Sequence, residues 1–194
     1  MTAVARIDEA RTGVRRVAAE RVAATNAIAE RFFAENADAI ADACRAMAGR
    51  FEKRGRLFVC GDGAQRSDVA HVVVEFVHPV VVGKRALAAF GLPDVASGAA
   101  RSMLHTMARH DDLLMLVTAG APDRRARELL AAARDGGLLT LALAGPVGDV
   151  ASTVDHLFTV PSDDPCIVQE THEMLYHVLW ELVHVFFDHR GATE

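Results

Sequence analysis

Cysteine is scarce in this chain, and the cysteines it has are badly placed to act together. Cys44, Cys60 and Cys166 are odd in number and contain no C-x-x-C spacing. That argues against a disulfide framework and for free thiols in a reducing cytoplasm. An excess of basic charge is also missing. Lys and Arg number 21 against 26 Asp and Glu, a net charge of -5, so the electrostatic footprint of a general nucleic-acid binder is absent. No long apolar run exists: residues 113–119 and 138–144 are the best candidates, and both are strand-length, which excludes a membrane span. Residues 1–20 carry charges throughout without an apolar h-region, so no signal peptide is expected. Repeats, linkers and low-complexity segments are absent as well. What remains is 194 residues, 51% apolar and 24% charged, the composition of one soluble cytoplasmic domain.

Two regions follow one another along the chain. Residues 1–54 are rich in alanine, arginine and glutamate, with Val14, Val17, Val22, Ile28, Phe32, Phe33, Ile40, Cys44 and Met47 at helical spacing. This pattern predicts two N-terminal helices broken near residues 35–38, with Asn36 or Asp38 as N-cap, forming an oligomerisation region. From 55 to 194 short apolar runs alternate with helical stretches. Strands are expected at 56–60, 85–90, 113–118, 138–144 and 156–160, with helices at 65–77, after Asp123 through Arg134, and from Cys166 to Asp188. Such alternation predicts a doubly wound α/β core: a five-stranded parallel sheet with helices on both faces and ligands at the strands' carboxyl ends.

Four clusters could carry chemistry. The turn Cys60, Gly61, Asp62, Gly63, Ala64, Gln65, Arg66, Ser67 joins a strand to a helix, where glycine lets backbone amides approach an anion. It matches neither the dinucleotide nor the phosphate-loop fingerprint, so a purely structural turn fits equally well. His71 and Glu75 are four residues apart on the following helix and face a common partner. Such a pair can ligate zinc or transfer protons. Gln169, Glu173 and His177 repeat every four residues on the last helix, with His172 one step off that face and His184 further along as a core histidine. The turn holding Thr118 and Gly120 sits where a phosphate would bind. Pro122 lacks an amide donor, however, and Asp123 is placed to cap the next helix.

In order and spacing these pieces resemble phosphoheptose isomerase and its sugar isomerase (SIS) domain relatives. The resemblance rests on C-G-x-G before H-x-x-x-E at His71/Glu75, then Q-E-x-H-x-x-x-x-H at Gln169, Glu170, His172 and His177. It implies an SIS-type fold and interconversion of aldose and ketose phosphates through an enediol. Glu75 takes the base role and His177 the acid/base role at oxygen. Some relatives hold zinc with ligands matching His71, Glu75, Gln169 and His177, and build the site where subunits of a tetramer meet. Substrate contacts implied by position are Gly61, Asp62, Gly63, Gln65, Arg66, Thr118, Gly120 and Gln169.

Departures are concentrated in the phosphate grip. The family serine of the first loop falls at Gln65, and the family's S-T-S-G-N-S reads Val117, Thr118, Ala119, Gly120, Ala121, Pro122. The aspartate of the last motif falls at Cys166, and residues 91–112 form a shortened segment. Two readings stay open. One is a divergent, metal-dependent sugar or sugar-phosphate isomerase with a degraded phosphate site. The other is a non-catalytic SIS-domain binding or regulatory protein, like the relative that associates with the replication initiator. A homotetramer and a small sugar or sugar-phosphate ligand are expected, with neither nucleic acid nor membrane as partner; the second reading also admits a protein as ligand.

Overall fold

A computed structural model describes residues 3–79, 81–146 and 154–190, with side chains from residue 11 to 189 within those spans. The described residues form five α-helices: α1 (Ala3–Glu52), α2 (Arg66–Val77), α3 (Ala99–Met107), α4 (Arg124–Asp135) and α5 (Pro165–Arg190). Five strands, β1 (Leu57–Gly61), β2 (Ala89–Gly91), β3 (Leu113–Val117), β4 (Leu139–Ala144) and β5 (His156–Thr159), pair in parallel in the order β2-β1-β3-β4-β5. This order reverses direction between β1 and β3, and that switch point is where ligands enter such sheets.

The three central strands β1, β3 and β4 are buried on both faces, as their apolar sequences required, while the edge strands β2 and β5 are partly exposed. Side-chain alternation sorts them into two cores. Leu57, Val59, Leu113, Met115, Leu141 and Leu143 face α1, α2 and α5. Phe58, Cys60, Leu114, Leu116 and Ala142 face α3 and α4. The three thiols are free; burial holds Cys44 up at about 12, and only Cys166 is exposed. Among the described residues no helix is long and apolar enough to cross a membrane.

Two expectations need correction. The expected break at residues 35–38 does not occur, because α1 is one continuous 50-residue helix. Asn36 sits one turn after Phe32 and one turn before Ile40, and its Nδ2 donates back to the Phe32 carbonyl at 2.8 Å. Its side chain therefore satisfies the helix from within instead of capping a new one. No proline or glycine lies between Gly13 and Gly49 to force a stop. The second concerns residues 85–90, of which only the end joins the sheet, as β2 (Ala89–Gly91). Within the connection 91–112, Ala99–Met107 form α3, a helix not expected from the sequence, whose nine residues are too few to register as a periodic stripe.

Gly145 locks the end of β4 against the loop after β3. A Cβ there would lie 1.9 Å from the Ala119 carbonyl oxygen, so no other residue fits. Its amide donates to Thr118, whose own amide donates to Leu143, extending the ladder one step toward the site.

Candidate active site

Helices α2 and α5 lie side by side on one face of the sheet, and their facing side chains converge on one point. The Nε2 atoms of His71 and His177 are 3.3 Å apart. Glu75 Oε1 is 3.4 Å from His71 Nε2 and 3.7 Å from His177 Nε2. The i, i+4 spacing of His71 and Glu75 sets the first pair, and packing of α5 brings in the third member. All three ligand atoms lie within 4.8 Å of one another. His71 and His177 are 35% and 42% exposed and Glu75 is 16% exposed, so the point they face is open to a small molecule.

Behind this cluster lies a support layer. The hydroxyl of Tyr176, itself fully buried, is hydrogen-bonded to His71 Nδ1 at 2.9 Å. Its ring meets both histidines edge-on. Burial, reinforced by the nearby carboxylates of Asp68, Glu173 and Glu75, pushes the phenol well above its usual range, so it stays a neutral hydrogen-bonding group. Glu173 Oε1 is 3.6 Å from the same His71 nitrogen. Asp68 is almost fully buried, and desolvation raises its carboxyl above the ordinary range. Among the described residues none of Asp68, Glu75 and Glu173 is paired with a lysine or arginine. Three carboxylates without a cationic side chain make this a region that attracts positive charge.

Gln169 stands two turns nearer the start of α5. Its Nε2 donates to Ser67 Oγ at 3.1 Å and to Asp68 Oδ2 at 3.0 Å, bridging the two helices above the cluster. Of the four expected ligands, three therefore come together, and the amide nitrogen of the fourth is committed to α2. His172 is turned away into the core against the Ala144 carbonyl, and burial pushes it down to about 4. His184 is likewise buried, hydrogen-bonded to the carbonyls of Trp180 and Arg85.

The first loop is placed at the carboxyl end of β1, where Gly63 adopts φ +55°. Its Asp62 does not wait for a ligand: Oδ1 accepts from the Val95 amide at 2.7 Å. Asp94 accepts from Ala96, Asp123 from Ala126 and Asp164 from Cys166, each at 2.8–2.9 Å. Four amides at this edge, those of Val95, Ala96, Ala126 and Cys166, are thus taken by the chain's own aspartates. Gln65, Arg66, Thr118 and Gly120 rim the same edge, and none of their side chains is hydrogen-bonded to the histidine cluster.

Comparison with known proteins gives the fold and shows what the chain is similar to. No family model matches the chain. Curated phosphoheptose isomerases do: the one from Solidesulfovibrio magneticus is 28% identical over 81% of this chain and 84% of its own length. The one from Nitratidesulfovibrio vulgaris is 27% identical, covering 93% of both. The solved phosphoheptose isomerase of Neisseria gonorrhoeae superposes with a TM-score of 0.75 at 19% identity, over 88% of this chain and 98% of that one. The chain is similar to phosphoheptose isomerases in sequence. Its parallel sheet and flanking helices are those of the SIS fold.

Tyr176 and Asp68 are absent from the residues singled out in the sequence. A signal for each exists in hindsight. Tyr176 is the chain's sole tyrosine and adjoins His177, and Asp68 precedes His71 by three residues on the same helical face.

Proposed function

We propose that this phosphoheptose isomerase-like protein is an aldose/ketose isomerase acting on a sugar that it does not grip by a phosphate. The observation that carries the reading is the convergence of His71, Glu75 and His177 from two separate helices onto one open point. Isomerisation moves a proton between adjacent carbons. Glu75 removes the proton from the carbon beside the carbonyl, that C–H pair becomes the C=C bond of an enediol, and the carbonyl oxygen takes a proton from His177. Return of the proton to the neighbouring carbon, with His177 recovering its own from the other hydroxyl, completes the exchange. His71, Glu75 and His177 also fit a divalent metal such as zinc, with Gln169 as the fourth expected ligand. Donor atoms on a tetrahedral zinc with bonds of ~2.05 Å lie ~3.3 Å apart, which their separations approximate. Zinc bound there would polarise the sugar carbonyl as a Lewis acid. Behind His71, Tyr176 and Glu173 would orient the ring from its other nitrogen.

The substrate class follows from the hydroxyls missing at the sheet edge. A phosphate dianion needs several charge-assisted hydrogen bonds of ~1.5–3 kcal/mol each, and the loop after β3 offers Thr118 as its one hydroxyl between Val117 and Pro122, while Asp123 caps the next helix. A neutral or amino sugar avoids that deficit and the repulsion of carboxylates that have no lysine or arginine beside them. Assembly as a homotetramer in the cytoplasm belongs to the same reading. It is supported by Val14, Val17 and Val22, which lie 57–70% exposed along α1. The same missing loop serines, at Gln65 and at 117–122, also favour a second reading, a binding or regulatory SIS protein that has left catalysis behind.

Hydrogen exchange in deuterated water separates these readings. Pairs of free and phosphorylated aldoses and ketoses, followed by proton NMR, are expected to show deuterium entering at C1 or C2 of a free sugar. Exchange confined to phosphorylated sugars contradicts the substrate class, and exchange in neither set favours the regulatory reading.

A further inference from the structure

The opposite face of the sheet carries a cavity that the isomerase reading does not use. It lies between α3 and the second half of α4, next to Asp112 and Leu138, the residues just before β3 and β4. That places it at the amino edge, away from the ends of β1 and β3 where the glycine loop stands. Its volume is about 310 Å³, enough for a small organic molecule.

The chemistry of its wall is one-sided. Arg101, His105, Arg109 and His110 all contribute, and no carboxylate does. Arg101 is 4.0 Å from Glu128, and His110 is 3.7 Å from Asp111, both partners lying outside the lining. Among the described residues Arg109 and His105 have no carboxylate within ion-pair distance. The floor is apolar, with Leu104 and Leu129 buried beneath the basic rim.

This rim is held in place. Arg50, reaching from α1, donates to the carbonyls of both His110 and Gly137 at 2.8 Å. Gly137 takes φ +83°, and a Cβ at that position would meet the His110 ring at 2.4 Å, so the glycine lets the imidazole lie against the chain. Basic residues at the end of α3 also complement its helix dipole, which accounts for their sign but not for an apolar floor beneath them.

We propose that this cavity is a second ligand site, for a small amphipathic anion whose apolar body rests on Leu104 and Leu129 while its charge meets Arg109, Arg101 and the histidines. The inference stands apart from the isomerase reading, since it shares no residue with the α2–α5 cluster. A suitable probe is 1-naphthyl phosphate, titrated calorimetrically against the full chain, with inorganic phosphate as the charge-only control. Saturable binding with Kd of about 1 mM or tighter is expected, with inorganic phosphate at least ~10-fold weaker. Arg109→Glu, and Ala132→Trp, which fills the space, should each weaken the probe by about 10-fold or more. His71→Ala should leave it unchanged, which separates this cavity from the candidate active site. Binding that ignores both Arg109→Glu and Ala132→Trp, or that is lost in His71→Ala, overturns the proposal, as does no saturation up to about 10 mM.

Discussion

Glu75→Gln is expected to lower turnover, or hydrogen exchange into substrate, by a factor of about 10³ or more while the fold is kept. Glutamine has nearly the same shape and remains a hydrogen-bond partner for the histidines, yet it cannot accept a proton at neutral pH. The variant therefore removes the proposed base with little change in packing. Glu75 sits at the rim of the apolar α2 face, 16% exposed, and among the described residues His71 and His177 are the side chains within ion-pair distance of it. Neutralising it should cost no stability beyond those contacts, and circular dichroism with a thermal melt checks this directly. His177→Gln is the companion variant. It should slow the reaction less, because water can replace a proton shuttle at an oxygen more readily than a base at carbon. Undiminished exchange in Glu75→Gln contradicts the enediol mechanism.

The largest effect on stability is expected at Asp112, far from this chemistry. Asp112 is 2% exposed and serves four donors. One oxygen accepts from the Arg56 amide at 2.8 Å and Nε at 3.2 Å; the other accepts from Arg56 Nη2 at 2.7 Å and the Arg109 amide at 2.8 Å. It joins the residue before β1 to the residue before β3, the two central strands. Replacement by alanine leaves a largely buried guanidinium and two amides without their acceptor, a loss of ~3–5 kcal/mol. For a chain of this size that corresponds to a fall in Tm of about 10 °C. Asp112→Asn should fall between, since its single carbonyl oxygen can serve only part of the set. A melting temperature unchanged in Asp112→Ala would show that β1 and β3 are held by apolar packing alone.

Much of the architecture was legible because the central strands announce themselves. A parallel strand buried on both faces is a near-continuous apolar run, and residues 113–117 and, but for Thr140, 139–144 are such runs, ended by turn residues. The Asp123 cap was legible for a similar reason: one aspartate at a helix start does one local thing. Asn36 was not, because a short polar side chain can cap a new helix or bond back into the old one, and only the surrounding packing chooses. His71 and Glu75 could be paired from their spacing alone, while His177 joins them only once α5 is laid against α2. Tyr176 escaped notice since its partner, His71, is 105 residues away. The filling of the amides by Asp62 and Asp94 depends on where the chain returns after β2, a property of the fold and of no local pattern.

Metal analysis of protein purified without an affinity tag, in wild type and in His71→Ala, tests the central claim most directly. The account predicts about one zinc per chain in the wild type and loss of that zinc in the variant, since the site would keep only Glu75, His177 and Gln169. A wild type that neither carries zinc nor takes it up from micromolar solution, or a His71→Ala variant that holds it equally well, would contradict the account.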